Sequence, residues 1–127
     1  MPALEPVEAI RVVATPAALD SARWDGEDVD VLLIAPEEAL GLGATGVVVD
    51  GDPDAIIEPE AGFVVALLEP DELATVAAHA DWPLPAEATA LAQGKITGVP
   101  AKVLGGDPGL LVVQAAYADE LARRLGW

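Results

Sequence analysis

The chain has 127 residues, is 53% hydrophobic, contains no cysteine and carries a formal net charge of −16. One domain of this length, spanning 1–127, holds enough apolar material for a core, which excludes intrinsic disorder; disulfides, a thiolate nucleophile and zinc–sulfur sites are excluded with the cysteines. No Lys or Arg lies between Arg23 and Lys95, where sixteen Asp and Glu fall, so nucleic acid is excluded as a partner and an anionic membrane surface is disfavoured.

In chain order, Glu8–Thr15 alternates weakly and predicts a first strand through Ile10, Val12 and Val13. Thr15-Pro16 opens a short helix to Ala22, with Thr15 as its cap. Asp25–Asp28 reads as a turn. Val29–Ala35 is a run of branched apolar residues that suits a buried strand. Pro36–Leu40 starts one helical turn, ended by Gly41 and Gly43, and Val47–Val49 is a further strand. After the polar loop Asp50–Asp54, two strands at Ala55–Glu58 and Gly62–Glu69 are joined by a hairpin connection, Pro59-Glu60-Ala61. Pro70 then begins a helix in which Leu73, Val76, Ala77 and Ala80 keep helical spacing, with Asp71 and Glu72 where the dipole favours them. Asp81–Pro85 breaks it. Glu87–Gln93 predicts a short helix, Gly98–Leu104 and Gly109–Gln114 two strands around the turn Gly105–Pro108, and Ala118, Leu121, Ala122 and Leu125 a final helix ending on Arg123 and Arg124.

The segments Ala55–Trp82 and Pro100–Trp127 both read strand, turn, strand, helix; both helices carry Asp-Glu-Leu-Ala and both segments close on Trp. Hairpins paired into one antiparallel sheet, with helices on a face, make an α+β two-layer sandwich of ferredoxin-like strand–helix units, covered by two or three helices. This architecture stands with or without a true duplication.

Chemistry is sparse. His79 is the only histidine and Ser21 the only serine. A transition-metal site needs further His or Cys ligands, and a hydroxyl nucleophile needs a base beside it. Asp50, Asp52 and Asp54 have the one-three-five spacing of a calcium loop, but Ala55 stands where Gly is needed and Ala61 where a bidentate Glu is needed. Gly41, Gly43 and Gly46 carry phosphate-loop spacing without the helix that should follow, and the acidic loop beyond them repels anions. No catalytic residue, metal or cofactor is therefore assigned. Trp24, Trp82 and Trp127 each follow a helix-like segment and are candidate interface anchors, with sealing of an alanine-rich core as the alternative. The acidity suits a basic protein partner or a cation; it also serves solubility alone, as in salt-adapted organisms.

The run Leu91–Val103, followed by Gly109–Gln114 and Ala116–Leu121, resembles the end of the sarcosine oxidase gamma-subunit family, related to the folate-binding aminomethyltransferase (glycine cleavage T-protein) fold. The resemblance extends from near Gly62 and implies an α+β fold and a non-catalytic accessory subunit in one-carbon amine oxidation. It carries over no folate-binding or catalytic residue, and the first 60 residues lie outside it. The functional expectation is a non-enzymatic domain acting by protein association, as a homodimer or an accessory subunit. The alternative is a small-ligand, folate-type binding domain or an enzyme completed at a subunit interface. With no basic-then-apolar leader and no long apolar run, the expected location is cytoplasmic.

Overall fold

A computed structural model describes residues 2–85 and 87–127. The chain divides into two compact units, one of Val7–Ala61 and one of Gly62–Trp127 together with the N-terminal residues through Pro6. The class is α+β with mainly antiparallel pairing, as the alternation of apolar residues predicts. No described helix is long and apolar enough to cross a membrane.

In the Val7–Ala61 unit, β1 (Glu5–Val13), β4 (Glu38–Leu42) and β3 (Asp30–Ala35) lie side by side with β4 in the middle. The registers place Ile10, Gly41 and Val31 in one row and Val12, Ala39 and Leu33 in the next. Directly opposed residues share a face, so Val12 and Ala39 build a small core with Ala14, Ala18 and Leu19. Ala18 and Leu19 come from α1 (Pro16–Ser21), where Thr15 Oγ1 accepts from the Ala18 N–H at 3.3 Å. The opposite rows hold Leu32, Leu40, Leu42 and Ala9, all buried. A separate two-stranded ribbon pairs β2 (Arg23–Asp25) with β5 (Gly46–Val48).

The helical turn predicted at Pro36–Leu40 is absent. Only Pro36-Glu37 turn, and Glu38–Leu42 form β4, because a segment bonded on both sides gains two ladders where one helical turn gains a single hydrogen bond. The predicted hairpin at Pro59-Glu60-Ala61 is also absent. Ile56–Leu68 is one unbroken strand, β6. Proline's fixed φ is compatible with extended chain, and no Asn-Gly or Gly pair stands there to reverse it. The two echoing segments therefore differ, since a single strand precedes the first helix and a hairpin precedes the second.

In the Gly62–Trp127 unit, the second half of β6 pairs with β9 (Gly109–Gln114), β9 with β8 (Val99–Leu104), and β8 with β7 (Leu91–Ile96). Val64, Ala66, Leu68, Leu111, Val113, Val103, Ala101 and Val99 face one side. There they meet Val76 of α2 (Pro70–Ala78) and Ala118, Leu121 and Leu125 of α3 (Ala115–Leu125). Helices on one face of an antiparallel sheet give this unit two layers. The start of α2 is secured by Pro70 and by Glu72, whose Oε1 accepts from the Glu69 N–H at 2.9 Å. The end of α3 is closed by Gly126 at φ +79°, which lets the Trp127 N–H reach the Ala122 carbonyl at 2.8 Å.

The short helix predicted over Glu87–Gln93 is replaced by a turn and β7. A two-residue turn, Thr97 at φ +50° and Gly98 at φ +86°, sets Ile96 opposite Val99, and that register runs on to Leu91 opposite Leu104. Residues 91–93 are drawn into the ladder, overriding a modest local helix preference.

Candidate functional site

The residues with chemical potential are dispersed and locally engaged. His79 caps the C-terminus of α2, is exposed, and donates from Nδ1 to the Thr75 carbonyl at 2.8 Å. Ser21 Oγ lies on the other unit and donates to the Ala17 and Ala18 carbonyls at 3.3 and 3.4 Å. Each contact is local to its own helix. Asp50 pairs with Arg23 at 3.1 Å, while Asp52 accepts from the Thr15 N–H at 3.1 Å and the Asp54 N–H at 2.9 Å. The Asp50 and Asp52 carboxylates are thus engaged within the unit, with Arg23 and with backbone N–H groups. Gly41, Gly43 and Gly46 belong to β4, a turn and β5, with no helix after them.

The three tryptophans are half-buried and occupy separate seats. Trp24 stacks on the strand surface at Gly41, where a Cβ would fall 2.3 Å from the ring. Trp82 does the same over Gly94, where a Cβ would fall 2.6 Å from Nε1, and that Nε1 donates to the Lys95 carbonyl at 2.8 Å. Trp127 and Trp82 pack against the core of the Gly62–Trp127 unit, and Trp24 against the core of the other. Each ring thus covers apolar core while keeping part of its surface exposed, the partial burial that an interface anchor and a core seal share.

Sequence reasoning missed an exposed apolar pair on β3. Val29–Ala35 reads as a buried strand, yet within β3 only Leu32 is fully buried, while Val31 is 45% and Leu33 55% exposed. Burial follows the period-two alternation of a strand, and β3 stands at the end of the order β3-β4-β1. The available signal was acid in and around the run, Asp28 before it, Asp30 within it and Glu37 and Glu38 after it. Asp30 is exposed as a residue, yet partial desolvation of its carboxyl raises it above its ordinary value, and the charge of Asp28 adds to that. At the other end Arg11 Nε donates to Glu38 at 2.5 Å, and its Nη1 reaches Glu58 at 3.4 Å.

A shallow cavity of about 350 Å³ lies in the same unit, lined by Ala9, Ile10, Ala44, Pro59 and Ala61 and by the polar residues Glu8, Thr45 and Glu60. Its polar groups are two carboxylates and a hydroxyl, and that hydroxyl already donates to the Asp25 carbonyl at 3.2 Å. Among the described residues no group of three or more His, Cys, Asp or Glu could hold a metal ion. Compared with known proteins, the chain matches no family model and no curated protein.

Proposed function

We propose that the chain is a non-catalytic protein-interaction domain that works as an accessory subunit or by self-association. The observation that carries this reading is β3, which ladders to β4 along one side and leaves Val31 and Leu33 about half exposed at the end of the sheet. Apolar side chains on a sheet edge are costly in an isolated chain and favour association. His79 and Ser21 are each hydrogen-bonded to backbone carbonyls of their own helix, which supports a role without chemistry of its own. The C-terminal resemblance points the reading toward amine oxidation in one-carbon metabolism. The test is recovery of the tagged chain from its own cell extract at low salt, with mass spectrometry of what elutes and sedimentation of the purified chain. An amine-oxidising flavoprotein or one-carbon enzyme in the eluate supports an accessory subunit. A purified chain that sediments as a dimer supports self-association, and a monomer that recovers nothing removes the reading.

A second reading, a small-ligand domain, is favoured by the cavity at Glu8, Thr45 and Glu60. Carboxylates in its lining suit an amine or another cation and repel the negative charge of a folate-type ligand. Calorimetric titration with small amines, repeated on Glu60→Gln, tests it; identical heats for both chains would count against this site.

A further inference from the structure

The strand β3 combines three properties that bear on what it meets. Its Asp30–Leu33 segment is laddered to β4 on one side, and an end strand presents its second row of backbone donors and acceptors outward. The ladder register shifts between Leu33 and Ala35, so regular pairing geometry runs along Asp30–Leu33. Val31 and Leu33 lie on one face of that segment, two residues apart, and both remain substantially exposed.

The flanks are acidic and uncompensated. Glu27, Asp28 and Asp30 at the start and Glu37 at the end are exposed. The nearby cations are already engaged, Arg11 with Glu38 and Glu58, and Arg23 with Asp50. A second copy of the chain is a poor occupant. Antiparallel pairing of two β3 strands would bring the Asp28–Asp30 end of each toward the Glu37 end of the other, and parallel pairing would set like on like. Each copy also brings a net charge of −16. A strand with cationic ends meets the opposite situation, because its charges are attracted at both ends while its apolar residues cover Val31 and Leu33.

We propose that β3 is a docking edge on which an extended, basic-flanked segment of a partner protein adds as a further strand along Asp30–Leu33, its apolar side chains seated on Val31 and Leu33. The inference rests on the protein-interaction reading and supplies its mode. The backbone ladder provides affinity without strict sequence demand, the two apolar residues fix register, and the acidic flanks select against anionic partners.

The probe is a dye-labelled peptide, Lys-Lys-Val-Thr-Val-Thr-Val-Lys-Lys, compared with a version carrying Glu at all four flanking positions and with one N-methylated at alternate residues. Binding is read by fluorescence anisotropy, and its place by amide hydrogen exchange. The Lys-flanked peptide is expected to bind, to slow exchange at residues 30–33, and to weaken about tenfold on Leu33→Lys. It is expected to weaken as salt rises from about 0.05 to about 0.5 M. The Glu-flanked and N-methylated peptides are expected to fail. Leu33 is exposed, so the variant should fold, and circular dichroism checks this. Absence of binding at millimolar peptide, equal binding by Leu33→Lys, or equal binding of the N-methylated peptide would each overturn the proposal. So would a dimer of the chain that Leu33→Lys dissolves, since a second copy would then be the occupant. A natural partner captured equally by both chains would remove β3 as its seat and leave the interaction reading intact.

Discussion

The indole of Trp82 occupies the space that a side chain on Gly94 would need, and its Nε1–H is tied to the carbonyl of the next residue, Lys95, at 2.8 Å. A methyl group at Gly94 would stand 2.6 Å from Nε1, so the ring must lift and lose both its hydrogen bond and its cover over the sheet. Gly94→Ala should cost about 1–3 kcal/mol, the usual range for overpacking. In a Trp82→Ala background the same change should cost markedly less, because the clash is gone. Urea midpoints of the four chains measure this, and equal costs in the two backgrounds would show that Gly94 matters for another reason.

Gly105 presents a harder obstacle. A Cβ there would lie 2.2 Å from the backbone carbonyl oxygen of Glu87 and 2.9 Å from that of Pro85. Backbone cannot swing aside as a ring can, and Gly105 N–H also donates to the Ala90 carbonyl at 2.8 Å. Gly105→Ala should therefore destabilise more than Gly94→Ala, by about 2–4 kcal/mol. Thermal denaturation of the two variants side by side gives the ranking; a milder effect at Gly105 would contradict the packing described.

Asp52 holds two backbone N–H groups, those of Thr15 and Asp54. Asp52→Ala should cost about 1–2 kcal/mol, and Asp52→Asn, which keeps one acceptor, should fall between. Because the Asp50 carboxylate is paired with Arg23 and that of Asp52 is turned onto the backbone, millimolar calcium is expected to leave the melting temperature unchanged. A calcium-dependent rise abolished by Asp52→Asn would show that the loop opens to bind the ion.

Two carboxyls should leave opposite marks on stability as pH changes. Asp30 is raised above 3.8 by partial desolvation and by Asp28, so the folded state binds its proton more tightly than the unfolded chain. Its ionisation opposes folding, and that penalty disappears as pH falls through its raised value. Asp30→Asn should thus stabilise at neutral pH, with the advantage shrinking toward pH 3.8. Glu120 is lowered below 4.5, first by its hydrogen bond from Arg124, with Arg123 also paired to it. Its contribution is present above 4.5 and is lost as pH falls through the lowered value. Glu120→Gln should consequently flatten the acid limb of the stability curve. Denaturant midpoints across a pH series test both, and a stability difference for either variant that does not change with pH would refute the assignment.

Much of the fold was legible because its signals are local. Pro70, the acids after it and the spacing of Leu73 and Val76 mark α2; Gly126 and the Ala118–Leu121–Leu125 stripe mark α3. The strand β8 carries a partial alternation, β9 a continuous apolar run, and a turn signal stands between them. The candidate site was far less legible. The sequence reading favoured the tryptophans, whose size suggested anchors, and took Val29–Ala35 as buried because a continuous apolar run does not state which of its residues a neighbour covers. The paired carboxylate and hydroxyl groups of the Glu8–Thr45–Glu60 cavity come from three separate segments, and no spacing rule connects them.

The sequence alone therefore determined the α+β class and the two longer helices, since these follow from local spacing and from residues such as Pro70 at a helix start. Tertiary structure decided the rest. Glu38–Leu42 became a strand because β1 and β3 offered it ladders on both sides, and Leu91–Ile96 became one because the Thr97-Gly98 turn fixed its register on β8. Ile56–Leu68 ran straight through Pro59, and Val31 and Leu33 stayed at the surface because β3 has a laddered neighbour on only one side. Each of these outcomes depends on which distant segment supplies the missing hydrogen bonds, and that information is not carried by any short window of the chain.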